Sequence, residues 1–361
     1  MARLSITLSL LFAITHAVNS YPLDPIEEET DHPRLSLISW RWEEVEGYFI
    51  VSVFLLTAAL VKIAYHQIQA LHMYIPESCV LIVVGTSVGL VIYLADVTEH
   101  IPQFSSEIFF FLLLPPIILE SSYSLYGKTF FNNINTVLLY AVVGTLLNVF
   151  FVGSSIFLVE QFGWFGREDI PLVECFTFST LISAVDPVAV LAIFQELGVN
   201  KALYFLVFGE SLFNDAVVIT LYNMVTTFAV SRVISSYDVV IGILNFITVS
   251  GGGLLIGILT GAITALATKI TTDVRVVEPL IVVVLAYFSY VGAELFHFSG
   301  IISLIACGLV QSEYVKDNIS KRSFTTIKYF TKTLSSIADV IIFFFLGRVL
   351  IREDHVWVSF S

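Results

Sequence analysis

The chain has 361 residues, 57% of them hydrophobic and 13% charged, with a mean hydropathy of +0.89. That composition excludes an ordinary soluble globule and predicts an all-α, multi-span helical membrane protein embedded in a lipid bilayer. The net charge of −13 is less informative than its distribution, and no basic patch with interleaved aromatics points to nucleic acid as a partner.

Residues 1–20 carry one arginine, an apolar run from Leu8 to Ile14 and small residues up to Ser20. This pattern fits a cleaved signal peptide better than a span. Residues 21–46 are acidic (Glu27, Glu28, Glu29, Asp31) and read as an extracellular segment, ahead of a membrane domain over 47–361. Ten apolar segments follow, at about 48–65, 79–95, 107–124, 135–159, 173–195, 203–230, 239–267, 277–296, 298–311 and 327–347. The ninth is short enough to be a tilted or re-entrant element. With the mature N-terminus outside, ten Lys and Arg residues fall in inner loops and four in outer loops, with every lysine inside. The Asn318-Ile319-Ser320 sequon then lies inside and should stay unglycosylated. Cys79, Cys175 and Cys307 sit in or at the edges of apolar segments, which gives neither a disulfide framework nor zinc spacing. No cofactor is expected.

Phe208-Gly209-Glu210-Ser211-Leu212-Phe213-Asn214-Asp215 lies in the middle of the sixth segment. Glu210 and Asn214 stand four apart, as do Ser211 and Asp215, so a helix gathers these polar groups within about a turn and a half. Carboxylates at membrane depth cost several kcal/mol and mark ion or proton paths. In the fifth segment, Ser183-Ala184-Val185-Asp186-Pro187 should break the helix. Pro187 cannot donate to the Ser183 carbonyl and biases Asp186 away from helical geometry. Carbonyl oxygens freed beside a carboxylate offer the hard-oxygen environment a small cation prefers.

Leu114-Pro115-Pro116-Ile117 interrupts the third segment in the same way and leaves the carbonyls of Phe111 and Leu112 without their usual donors. A structural kink and a functional break both fit that stretch, and Phe109–Phe111 either line an entrance or pack against lipid and helices. Glu294 and His297 are three apart, on one helical face near the outer end of the eighth segment, as a gate, a pH sensor or an interfacial pair. Glycines 251–253, 257 and 261 form small-residue spacings suited to tight helix packing, without phosphate-loop chemistry.

Six stretches resemble the animal sodium/proton exchanger family: Leu114-Pro-Pro-Ile-Ile-Leu, Ala141-Val-Val-Gly-Thr-Leu, Ser183-Ala-Val-Asp-Pro-Val-Ala-Val-Leu-Ala, Phe208-Gly-Glu-Ser-Leu-Phe-Asn-Asp-Ala-Val, Ala293-Glu-Leu-Phe-His-Phe-Ser-Gly and Thr325-Thr-Ile-Lys-Tyr-Phe. The resemblance runs from about residue 48 to 348 and is closer to the plasma-membrane branch than to the organellar one. It implies an inverted-repeat antiporter fold with broken helices, a mobile core domain and a homodimer. It also implies electroneutral exchange of extracellular Na⁺ for intracellular H⁺, which regulates intracellular pH. No enzymatic activity is implied. Carried over by motif, Asp215 is the carboxylate that exchanges cation and proton, and Asn214 is its neutral neighbour. Asp186 and Pro187 stand at the unwound crossing, and Ser211 lies near the ion. Asp215 and Asp186 would hold the transported Na⁺, while Glu210 corresponds to a residue paired with an arginine of a later helix. Glu294, His297, Pro115 and Pro116 fall in supporting or gating stretches. Glu120 stands where the family often has Asp. The chain ends at Ser361, after the tenth segment, so a truncated form that regulates a full-length exchanger without transporting is an alternative, as is a cation channel.

Overall fold

The computed structural model describes residues 42–68, 75–94, 104–125, 127–163, 170–230, 236–270 and 277–351. The expected signal peptide, most of the acidic segment and several of the charged loops counted for topology lie outside the described residues. Among the described residues there is no strand. That is the form expected of backbone whose polar groups have no water to bond.

The helices are α1 (Trp42–Gln67), α2 (Glu77–Leu94), α3 (Leu114–Ser124), α4 (Lys128–Leu138), α5 (Thr145–Gln161), α6 (Leu172–Ile182), α7 (Val188–Leu197), α8 (Lys201–Val230), α9 (Ser236–Ile270), α10 (Glu278–Leu295), α11 (Gly300–Asn318) and α12 (Lys321–Val349). π-helical turns at Ile108–Leu113 and Leu139–Gly144 run directly into α3 and join α4 to α5. The expected segments are therefore largely helical in their described residues, with the fifth broken at residues 183–187. Six of the described helices are long and apolar enough to cross a membrane, and shorter apolar stretches occur in α1, α3, α6 and α11. Helix α1 begins at Trp42, inside the stretch read as a polar tail.

Two compact units divide the chain. One comprises residues 1–104 with 343–361. In it α2 lies against the last turns of α12 through glycines. A Cβ on Gly85 would collide with the Phe344 carbonyl oxygen, and one on Gly347 with that of Ile82. The Thr86 hydroxyl donates to the carbonyls of Ile82 (2.8 Å) and Gly347 (3.1 Å), a small-residue contact closed by a hydroxyl.

The other unit comprises residues 105–342. Its central helix is α11, whose residues from Ile301 to Leu309 are buried at every position but Ile302. Helices α3, α9 and α10 surround it, and α8 packs against α4 and α6. The glycine spacing of α9 serves this packing, as its sequence led us to expect. A Cβ on Gly253 or Gly257 would strike the carbonyl oxygen of Ser299 or Ser303, and one on Gly261 would lie 2.7 Å from Val310 Cβ. Gly209 plays the same part in α8, where a Cβ would lie 2.9 Å from the Phe130 ring and 3.1 Å from Val137.

Helix α11 carries the ninth segment on past residue 311 to Asn318, and its apolar part, Gly300–Val315, is one of the shorter apolar helices, as the short segment led us to expect. Its 19 residues rise about 28 Å, close to the hydrocarbon thickness. Gln311 and Ser312 ended the apolar run in sequence, yet both are fully buried because their polar atoms are satisfied. Gln311 Nε2 donates to Thr264 Oγ1 (3.1 Å) and to the Val282 carbonyl (3.2 Å), and Tyr123 donates its hydroxyl to Gln311 Oε1 (2.9 Å). One side chain thus ties α11 to α3, α9 and α10.

The sequon falls at the end of α11. Asn318 Nδ2 donates to the Ala265 carbonyl at 2.8 Å and approaches Thr268 Oγ1 at 3.5 Å. The acceptor amide is held by α9, which is a second reason for it to escape modification. Digestion of the cell-expressed protein with a peptide-N-glycosidase should leave its gel mobility unchanged at this position. A shift that disappears in Asn318→Gln would place the sequon on the luminal side.

Candidate functional site

The break expected in the fifth segment is present. Helix α6 ends at Ile182, residues 183–187 are non-helical, and α7 starts at Val188. Pro187 has no N–H for the Ser183 carbonyl, and the vacancy is filled from α8. Asn214 Nδ2 donates to that carbonyl at 3.1 Å and to Glu210 Oε1 at 3.4 Å. Ser211 Oγ donates to the Val185 carbonyl at 3.2 Å. Asn214 and Ser211 are 3% and 7% exposed, so these bonds are made in a dry contact where an unmet carbonyl would cost several kcal/mol. The three-residue spacing of Ser211 and Asn214 on α8 thus puts one donor on each of two carbonyls of the unwound segment.

The carboxylates stand around this clamp. Glu210 is half-buried and bonded to Asn214, while Asp186 and Asp215 are exposed. Asp186 and Glu210 lie close enough for their charges to act on Asp215. Asn214 Oδ1 is buried without a hydrogen-bond partner. With its amide nitrogen committed to Ser183, this oxygen is a spare hard ligand beside the carboxylates. Among the described residues no group of three or more His, Cys, Asp or Glu is arranged to hold a metal ion.

Asp186, Pro187, Glu210, Ser211, Asn214 and Asp215 are therefore assembled in one place. The other predicted residues are not part of it. Pro115 and Pro116 occupy the first turn of α3, where a missing N–H costs least, and the helix runs on directly from the preceding π-helical turn. Leu114 N–H donates to the Phe109 carbonyl. The Phe111 carbonyl, which Pro115 cannot serve, accepts the Tyr287 hydroxyl at 2.9 Å. Tyr287 is the residue that sequence reasoning missed, since the only signal was an orphaned carbonyl with no indication of which helix supplies a donor. Phe111 meets Tyr290 edge-on at 6.1 Å between ring centres, and Phe109 meets Phe110 at 5.0 Å, so these rings are engaged in packing.

Glu294 and His297 need correction. Helix α10 ends at Leu295, and His297 lies beyond it in the left-handed region (φ 58°), exposed, so the two do not share a helical face. Glu294 Oε1 instead accepts the Gly300 N–H at 2.9 Å at the start of α11. A Cβ on Gly300 would lie 2.7 Å from that oxygen, which explains the glycine. The Ser299 N–H donates to the Val249 carbonyl at 3.2 Å and fastens this corner to α9.

Known proteins resemble the chain over most of its length. The transmembrane sodium/hydrogen exchanger family matches residues 55–354. The chain is similar to Na(+)/H(+) exchanger protein 7 of Caenorhabditis elegans, 46% identical over 336 residues, covering 92% of this chain and 43% of that one. It is also similar to sodium/hydrogen exchanger 2 of Oryctolagus cuniculus, 44% identical over 327 residues, covering 91% of this chain and 40% of the relative. The chain thus spans about two-fifths of the length of these relatives. Its fold is similar to that of the sodium proton antiporter MjNhaP1 from Methanocaldococcus jannaschii at pH 8. The TM-score is 0.64 with 21% identity, over 85% of this chain and 71% of that one. The helical architecture agrees with these matches, and the chain belongs to the transmembrane sodium/hydrogen exchanger family.

Proposed function

We propose that the chain provides the ion site of an antiporter that exchanges extracellular Na⁺ for intracellular H⁺, without a cofactor, and so regulates intracellular pH. The observation that carries this reading is the clamp. Asn214 and Ser211 occupy the carbonyls of the unwound segment, and the carboxylates of Asp215 and Asp186 stand around it beside the unpartnered Asn214 Oδ1. Ionised Asp215 binds either a proton or a sodium ion, and the two compete for the same oxygens. Asp186 adds a second carboxylate from the opposite side of the contact, and Glu210 steadies Asn214. Movement of the site-bearing helices against the rest of the protein then exposes the bound ion to each side in turn. Sodium and protons are substrates in this account and not resident groups.

The same reading includes a plasma-membrane location, a homodimer, residues 1–20 as a signal peptide and residues 21–46 as an extracellular segment. Stoichiometry follows from position 214. With a neutral asparagine beside Asp215, one carboxylate carries one charge in either direction, and exchange should be electroneutral. Whole-cell currents under a sodium gradient test this, because net charge movement couples to the membrane field at about 2.3 kcal/mol per charge per 100 mV. The expected result is sodium-dependent pH recovery without an associated current. A steady current that reverses with voltage and accompanies the proton flux would refute one-for-one exchange, and sodium current without proton flux would point to a channel.

A further inference from the structure

The first three turns of α12 carry a charge pattern that the ion site does not use. From residue 318 to 338 the chain has no Asp or Glu, and four cations fall in that stretch: Lys321, Arg322, Lys328 and Lys332. All four are exposed. Among the described residues none of them makes an ion pair. The opposite side of the helix is packed, with Ser323 5%, Ile327 1%, Thr331 2% and Ser335 7% exposed. Lys321, Lys328 and Lys332 are spaced by seven and four residues, so they form one stripe along the outward face, with Arg322 on its flank. The partial positive charge of the helix N-terminus adds to theirs.

The length of α12 places this stripe. Its 29 residues rise about 43 Å against a hydrocarbon core of about 30 Å, which leaves roughly nine residues outside the core. The apolar run lies at the C-terminal end of the helix, so the nine are Lys321 to about Tyr329, in the headgroup layer. Lys332 lies one turn further in, within reach of the same layer through its flexible stem. Tyr329 and Phe330, 70% and 49% exposed, stand at the boundary, where aromatic rings prefer to sit.

We propose that this face of α12 binds the anionic headgroups of phospholipids in the leaflet that receives it. Unpaired cations just outside a spanning helix attract such lipids, and the two aromatics fix the depth at which they do so. The expected selectivity is for anionic over zwitterionic glycerophospholipids, with a contribution from each cation.

The test uses the purified 361-residue chain in mixed micelles of phosphatidylcholine with a minor share of phosphatidylserine. Native mass spectrometry reads the lipids that are retained. The parent and the charge-conserving K321R/K328R/K332R variant should both enrich phosphatidylserine. K321Q/R322Q/K328Q/K332Q should lose the enrichment, and Lys332→Gln alone should lower it by roughly fivefold, the effect expected of a single surface cation. The single substitution keeps the test decisive if the quadruple variant fails to fold. Soluble glycerophosphoserine at the same concentration should leave the bound lipid in place. Undiminished enrichment in both glutamine variants would overturn the proposal. So would full displacement by glycerophosphoserine, which would make the face a site for free phosphate esters and not for a membrane.

Discussion

In an active exchanger built on this chain, Asp215→Asn should reduce sodium-driven proton efflux to the background of untransfected cells while the protein still reaches the membrane. Asparagine keeps the size and an oxygen ligand of the side chain. It cannot bind a proton in the working pH range, and it removes the charge that holds sodium. Structural damage is not expected, because Asp215 is exposed and the contacts that seal the break belong to Asn214 and Ser211. The measurement is intracellular pH in acid-loaded cells after sodium is returned, alongside surface labelling. Normal recovery would remove Asp215 from the site. Loss of surface protein would give it a folding role instead.

The second large effect concerns packing. Gly257→Leu should prevent the bundle from assembling, with loss of surface protein and of any monodisperse purified species. A Cβ at this position collides with the Ser303 carbonyl oxygen and would lie 2.7 Å from Ala306 Cβ. Backbone cannot step aside as a flexible side chain does. Overpacking a dry contact commonly costs about 1–3 kcal/mol, and more where backbone is struck. Gly251→Leu is the matched control. It lies two turns away on the same helix, exposed, with nothing within 4 Å of its added Cβ, and should be tolerated. Equal behaviour of the two variants would mean that the contact between α9 and α11 does not hold the bundle together.

The contrast between these two glycines marks how far the sequence could be read. Small-residue spacing identified a close-packed helix, yet Gly251 and Gly257 look alike in sequence and differ only by which face α11 covers. The break at Pro187 was legible because proline chemistry is local: a missing N–H and a ring clash do not depend on the rest of the fold. The donor that replaces that N–H was not legible. Asn214 lies 27 residues from Pro187, and only the packing of α8 against α6 brings its amide to the Ser183 carbonyl. The same limit applies to Pro115. The orphaned Phe111 carbonyl was expected, and its partner, Tyr287, came from a helix remote in sequence.

One reading failed, and one segment ran further than its hydropathy suggested, for physical reasons that can be named. Glu294 and His297 were placed on one helical face by their spacing, but the helix ends at Leu295. The Glu294 carboxylate caps the next helix instead of facing His297 along its own. Gln311 and Ser312 seemed to end a span because polar residues usually do. Inside this bundle the amide of Gln311 is fully satisfied by three neighbouring helices, so α11 continues to Asn318. Hydropathy counts a polar group as a cost, whereas the fold decides whether that cost is offset.

The central claim is that sodium and protons share one carboxylate. It is tested most directly by initial rates of sodium uptake at several external pH values, with internal pH held fixed. Competition at Asp215 predicts that the apparent KM for sodium rises linearly with external proton concentration while the maximal rate stays constant. A maximal rate that falls with external protons at unchanged KM would mean that the two ions bind at different groups, and would contradict the account.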